Sequence, residues 1–144
     1  MPGIGEFMIH QHHDCDEIFA QAEEAVGAGD WTRAEDRFEL FASQMERHFD
    51  NEDNLLFPKF DACTGHSGGP TMIMKMEHNQ MRVVIHELRA ALEARDAQQY
   101  LGQSETMLIL MQQHNYKEEA ILYSMIDQLL GGEAERLVAQ LETA

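Results

Sequence analysis

Two stretches of this chain set a histidine and a glutamate four residues apart inside an apolar helical pattern. LMQQHNYKEEAILYSMIDQLL (110–130) carries His114 and Glu118, and MERHFDNEDNLLFPKF (45–60) carries His48 and Glu52. Residues i and i+4 stack on one face of a helix. Each pair therefore offers an imidazole and a carboxylate to one spot on the buried side. One such pair arises easily by chance as a surface hydrogen bond. Two pairs, both inward and both followed by apolar segments, point to metal ions held between helices.

The elements that must position these groups read as helices with short links. A first helix is expected from about Met8 to Ala28, stopped at Gly27-Ala28-Gly29. On a 100° wheel centred on His12, Cys15, Phe19, Ala22 and Val26 fall within about 80° on one side, whereas His10 and His13 lie roughly 160° from the centre of that face. His12 is thus the inward histidine of the cluster, with His13 as the competing choice. Asp30 caps a second helix from Trp31, with Phe38, Phe41, Met45, His48, Glu52, Leu55 and Leu56 inward. Pro58 should kink or end it. The loop at 64–70 carries His66, which reads as chemically bland. A third helix, Thr71 to about Arg95, has an inward row Met74, His78, Met81, Ile85, Leu88, Leu92, the stepping of a bundle seam. His86 lies off that row. Asp96 caps a fourth helix, Ala97 to Leu130, whose inward row reads Met107, Leu110, His114, Glu118, Ile121, Met125, Leu129. Tyr123, one turn beyond Glu118, reads as a bundle-edge aromatic, with approach to the pocket as the competing placement, and Tyr116 reads as surface. After Gly131-Gly132, a short terminal helix buries Leu137, Val138 and Leu141. The expected fold is all-α, an up-down-up-down four-helix bundle with a short C-terminal helix. The only repeat noted is the one between the second and fourth helices. Residues 1–7 read as a segment appended ahead of a natural start at Met8, which leaves 8–144 as one domain.

The candidate ligands are then His12, His48, Glu52, His78, His114 and Glu118. Burying two carboxylates and four imidazoles without partners would cost several kcal/mol per ion. A pair of cations, each taking two imidazoles with the glutamates between them, removes that cost. Mixed imidazole and carboxylate ligation suits iron, with manganese or zinc as substitutes. No histidine follows a glutamate by three residues, so the Glu-x-x-His device of ferritin-like di-iron bundles is absent. There is also no His-Glu-x-x-His motif, no phosphate-cradling glycine loop and no Gly-x-Ser-x-Gly elbow.

The chain carries 10 basic and 26 acidic residues, a net charge of −16. Such a surface repels nucleic acid and anionic lipid. No apolar run approaches the roughly 18 residues of a membrane span. Two cysteines, Cys15 and Cys63, are too few for a disulfide framework, and the expected location is cytoplasmic. The ten methionines read as adaptable core packing.

HFDNEDNLLFP (48–58), Glu77-His78 and HNYKEEAILY (114–123) together resemble the hemerythrin-like HHE cation-binding domain, over essentially Met8 to Leu130. The resemblance implies a four-helix bundle around an oxygen-bridged, non-haem di-iron centre. His48, Glu52, His78, His114 and Glu118 match the family's ligands, and His12 matches the first-helix ligand. Where oxygen-carrying hemerythrins have a further histidine one turn after that of the third helix, this chain has Arg82. The resulting four-His, two-Glu set is similar to that of the bacterial iron-centre repair proteins, whose additional paired-cysteine region has no counterpart here. The implied function is binding of a diatomic gas, oxygen or nitric oxide, for sensing, storage or stress response. The alternatives are an enzyme that reduces nitric oxide or peroxide with an electron-transfer partner, a metal-buffering or structural bundle, and a mononuclear zinc protein.

Overall fold

The computed structural model describes residues 3–65 and 69–143, so the expectation for His66 lies outside the described residues. Among them every regular element is helical. Helix α1 spans Ile4–Gly27, α2 Trp31–Asn51 and α3 Phe57–Thr64; α4 spans Pro70–Glu93, α5 Ala97–Lys117, α6 Tyr123–Leu130 and α7 Ala134–Thr143. A single π-helical turn, Glu52–Leu56, joins α2 to α3, and a second, Glu118–Leu122, joins α5 to α6. Helix α1 packs on α2, α2 on α4, α4 on α5, and α5 back on α1. With links this short, that cycle is an up-down-up-down bundle.

Helices α2 and α5 both begin from a capping aspartate, as expected. The Asp30 carboxylate accepts from the Arg33 amide at 3.2 Å and Asp96 from the Gln99 amide at 3.0 Å. The preceding residues, Gly29 and Arg95, both take positive φ, 72° and 52°, to reverse the chain. The coincidence is general. Each element of the second half starts 66 residues after its counterpart in the first: 4 and 70, 31 and 97, 52 and 118, 57 and 123. The molecule is two copies of one helical hairpin facing each other. The repeat is thus wider than the pair of His-x-x-x-Glu motifs. Identical residues at this spacing are few, among them Met8 and Met74, His12 and His78, Met45 and Met111, Leu56 and Leu122, and Asp61 and Asp127.

Three expectations are corrected. Residues 4–7 belong to the fold: α1 begins at Ile4, which is fully buried, and the Gly5 amide donates to Asp127 Oδ1 at 3.1 Å. A Cβ at Gly5 would lie 2.7 Å from Asp127 Oδ2 and 3.1 Å from Tyr123 Cβ, so only glycine lets α1 approach α6 this closely. Second, Pro58 does not end its helix. It follows the π turn, where the Phe57 amide reaches back five residues to the Glu52 carbonyl, and α3 continues from there. Third, the inward row of the fourth helix slips by one residue. Ile121, Met125 and Leu129 are exposed, and Leu122, Ile126 and Leu130 are buried. The second π turn inserts one residue into the 3.6-residue periodicity and moves every later side chain by a position. The row of α4, with no such turn, is buried throughout as expected.

The core has two apolar clusters. One runs from Cys15 and Phe19 through Phe38, Phe41 and Tyr100 to Met111. The other gathers Met8, Leu56, Phe57, Met74, Leu122 and Ile126, closed by Leu137, Val138 and Leu141 of α7. The polar residues between them in sequence, such as His12 between Met8 and Cys15, form a layer between the two. No described helix is long and apolar enough to cross a membrane.

The slipped register makes a pair of neighbouring substitutions diagnostic. Leu122→Ala should cost about 2–5 kcal/mol of unfolding free energy, and Ile121→Ala should stay within about 0.5 kcal/mol. Urea denaturation of the two variants reads this out, and a reversed order would contradict the π turn.

Candidate metal centre

The six expected residues converge. His12, His48, Glu52, His78, His114 and Glu118 are all at least 96% buried in the layer between the two apolar clusters. Their sources are symmetric: α1 gives His12, α4 gives His78, and each His-x-x-x-Glu pair runs from the end of α2 or α5 into the first residue of a π turn. The widened turn begins at the glutamate itself, so the acid and the histidine one turn before it both face the axis. His10 and His13 point to solvent, so His12 is the first-helix histidine that reaches the cluster, and His86 is exposed.

All four imidazoles turn Nε2 inward. His12 Nε2 lies 3.0 Å from Glu118 Oε1, and its symmetry counterpart, His78 Nε2, lies 3.0 Å from Glu52 Oε1. His48 Nε2 is 3.4 Å from Glu52 Oε1, and His114 Nε2 is 3.3 Å from Glu118 Oε1. The donors fall into two groups, Glu52, His78, His114 and Glu118 in one and His12, His48 and Glu118 in the other, with Glu118 common to both. Glu52 Oε1, His78 Nε2, His114 Nε2 and Glu118 Oε2 are buried without a hydrogen-bond partner. His78 Nε2 and Glu52 Oε1 are close enough to bond but are not aligned to do so. Lone pairs that crowd together without meeting are what a cation between them requires, and leaving them unfilled is costly. The residues present therefore fit metal ions, and the cluster is a cation-binding site.

Each outer ring nitrogen, Nδ1, has its own polar partner. His12 meets Glu119 Oε2 at 2.7 Å, His48 meets Gln11 Oε1 at 2.8 Å, His78 meets Asp53 Oδ1 at 2.9 Å and His114 meets Glu77 Oε1 at 2.9 Å. These contacts fix the tautomer that leaves Nε2 free for a metal and raise its basicity. None of the four partners was anticipated. Each stands beside a ligand candidate in the chain: Gln11 and Glu77 precede His12 and His78, and Asp53 and Glu119 follow Glu52 and Glu118. Arg82 steadies one of them. Its guanidinium lies 3.7 Å from Asp53 and 3.0 Å from Glu46, at the surface and turned from the axis. Lys117 pairs with Glu77 in the same way.

Tyr123 takes the competing placement, in the pocket. It is not an edge aromatic: its hydroxyl sits inside the cluster, 2.8 Å from Glu52 Oε2, 2.9 Å from Glu118 Oε1 and 3.1 Å from His12 Nε2. The π turn brings it round. Tyr116 is 69% exposed, as expected. Cys15 is buried among apolar side chains, where burial and then Asp16 and Asp14 push its thiol up to about 12, so it is inert.

The electrostatics without metal follow from this crowding. Burial would lower the His48 imidazole, but Glu52 and Glu118 outweigh it and push it up to about 10. Burial likewise opposes His78, yet Asp53 and Glu52 raise it to about 9. Burial would raise Glu118, and its contacts with Glu52, His114 and His12 instead hold it well below the ordinary carboxyl value. Burial, then the charges of Glu118 and Glu52, lifts Tyr123 well above the ordinary phenol. In the metal-free chain, protons on His48 and His78 supply positive charge.

The model of the hemerythrin HHE cation binding domain matches residues 4–126. No curated protein and no solved structure matches the chain.

Two outcomes are expected. The raised imidazoles stabilise the metal-free fold fully below the ordinary histidine value of about 6.5, and that contribution is lost as the pH rises through about 9 for His78 and about 10 for His48. The Tm of metal-free protein should therefore fall over this interval while metal binding, which needs neutral imidazoles, tightens. A flat or rising metal-free Tm would contradict the arrangement. Asp53→Ala should weaken metal binding about 10–100-fold in chelator competition, with helix content unchanged by circular dichroism.

Proposed function

Since the chain belongs to the hemerythrin HHE cation binding domain family, we propose that it is a non-haem di-iron protein that binds a diatomic gas, oxygen or nitric oxide, for sensing, storage or stress response. The observation that supports this best is the pair of buried donor groups sharing Glu118. Two groups with a common carboxylate fit two neighbouring ions better than one. His12, His48 and Glu118 would hold the first, and His78, His114 and Glu52 the second, with manganese or zinc as possible substitutes for iron. Ferrous iron with open positions supplies electrons and a binding point for small diatomics. The chain's own residues bury that point between two apolar clusters, orient the imidazoles through their Nδ1 partners, and keep bulk water away.

A second reading, reduction of nitric oxide or peroxide with an electron-transfer partner, gains from Arg82. Its salt bridges to Glu46 and Asp53 hold it outside the donor cluster, so Arg82 adds no donor where oxygen carriers have a further histidine. The free cysteines, Cys15 and Cys63, accord with a reducing, cytoplasmic setting. The acidic surface disfavours nucleic acid or anionic membrane as partners.

Protein loaded anaerobically should take up two irons per chain and gain near-ultraviolet charge-transfer absorption on exposure to air. Loaded protein with no spectral response to air or nitric oxide would instead be a metal-buffering bundle. Single-turnover assays of the diferrous form with nitric oxide separate the two gas readings: binding without product excludes the enzyme.

A further inference from the structure

The six ligand candidates of the two hairpins correspond pair by pair, His12 with His78, His48 with His114 and Glu52 with Glu118, but the aromatic residue beside them does not. The position of Tyr123 in the second copy is held by Phe57 in the first. The two rings pack equivalently. Tyr123 stacks on His12 with centroids 5.6 Å apart, and Phe57 stacks on His78 at 6.0 Å. The scaffold thus needs an aromatic ring at this place and does not need a hydroxyl. Tyr123 is 1% exposed, so its oxygen has been carried into the interior, where an unneeded polar atom is a cost. Gly5, whose missing Cβ lets α1 come up against Tyr123 Cβ, also has no counterpart; the equivalent residue is Thr71.

The place of that oxygen is specific. It lies 3.1 Å from His12 Nε2, 3.4 Å from His48 Nε2 and 2.9 Å from Glu118 Oε1. Those three atoms are themselves 3.1 Å (His12 to His48), 3.0 Å (His12 to Glu118) and 3.9 Å (His48 to Glu118) apart. Donors about 2.1 Å from a common ion stand roughly 3.0–3.4 Å from one another in octahedral or tetrahedral arrangement. Five of the six separations are close to that range. The oxygen also lies 2.8 Å from Glu52 Oε2, and its single proton can serve only one of these four neighbours.

We propose that Tyr123 is a metal ligand, the fourth protein donor to the ion held by His12, His48 and Glu118, and that it makes the two metal positions chemically unequal. The inference rests on the iron-binding reading above. On ligation the Tyr123 O–H bond breaks, the oxygen bonds to the ion as a phenolate, and the proton leaves to solvent with those displaced from the imidazoles. One position then carries two imidazoles, a carboxylate and a phenolate. The other, beside Phe57, carries imidazoles and carboxylates alone. A hard anionic phenolate favours the ferric state, so the ion next to Tyr123 is the one more readily oxidised.

The test is spectroscopic, on the full chain loaded with ferric iron. Phenolate bound to ferric iron absorbs in the visible and gives enhanced phenolate ring vibrations in resonance Raman. Wild-type protein carrying two irons per chain should show both, and Tyr123→Phe should lose both while keeping two irons and its near-ultraviolet absorption. The variant installs the residue that Phe57 already provides in the other hairpin, so folding is expected, and circular dichroism checks it. Two irons without the visible band or ring modes in wild type would overturn the proposal and leave the di-iron reading standing, as would a band that survives in Tyr123→Phe. Protein that takes up no iron would overturn both. Should Tyr123→Phe not fold, the wild-type Raman spectrum alone decides.

Discussion

The structure depends on one constraint: charged and polar atoms gathered where there is no water, with too few partners among themselves. Four imidazole nitrogens, two carboxylates and a phenol share a layer between two apolar clusters. Without metal, protons hold this layer together, as the raised His48 and His78 and the lowered Glu118 show. The compromise leaves four inward atoms unbonded. Protons and metal ions therefore compete for the same lone pairs, and each added cation removes repulsion that the bundle otherwise has to contain. Folding, protonation and metal binding are one linked equilibrium in such a protein, not three separate properties.

The layer is supported from outside as well as filled from inside. Every imidazole is held at its far nitrogen by a neighbour in the chain of another ligand candidate, so the supports cross between helices. Gln11 on α1 holds His48 on α2, Glu77 on α4 holds His114 on α5, Asp53 holds His78, and Glu119 holds His12. Basic residues at the surface complete part of this ring, Arg82 on Asp53 and Lys117 on Glu77. In a chain with only 10 basic residues against 26 acidic ones, that use of Arg82 and Lys117 is economical. It also explains Arg82 without assigning it to the centre: the side chain orders a carboxylate that orders an imidazole.

Much of this was legible in the chain itself. The i, i+4 spacing of His48 with Glu52 and of His114 with Glu118, the inward row of α4 and the two capping aspartates depend on local helical geometry, and that geometry held. What escaped was whatever breaks the 3.6-residue period. Both π turns start at a glutamate of the cluster, so a row counted at 3.6 residues per turn is right up to Glu118 and one residue off afterwards, at Ile121 in place of Leu122. Tyr123 was misplaced for the same reason. The supports at Asp53, Glu77 and Glu119 were hidden differently, because an acid beside a ligand carries little signal in so acidic a chain. The 66-residue repeat was hidden by divergence: its identical residues are few and scattered, three pairs of them in the cluster, and they emerge only when helix ends are compared.

That repeat gives the centre its character. Two equal hairpins facing each other would make two equal half-sites, and a symmetric pair of ions would have no built-in order of oxidation. This chain keeps the scaffold symmetric and lets the site drift from it at chosen points. Three of the imidazoles lean on carboxylates, which strengthen them as donors, whereas His48 leans on the neutral amide of Gln11. The same half holds the hydroxyl of Tyr123 where the other holds the bare ring of Phe57. An imidazole with a neutral support and an added oxygen thus fall on one side of the axis, and the other side has neither. Since the packing of the rings is the same in both halves, the difference is not needed for folding. It acts on whatever the donors hold, and it is the feature of this molecule that the repeated architecture by itself would not produce.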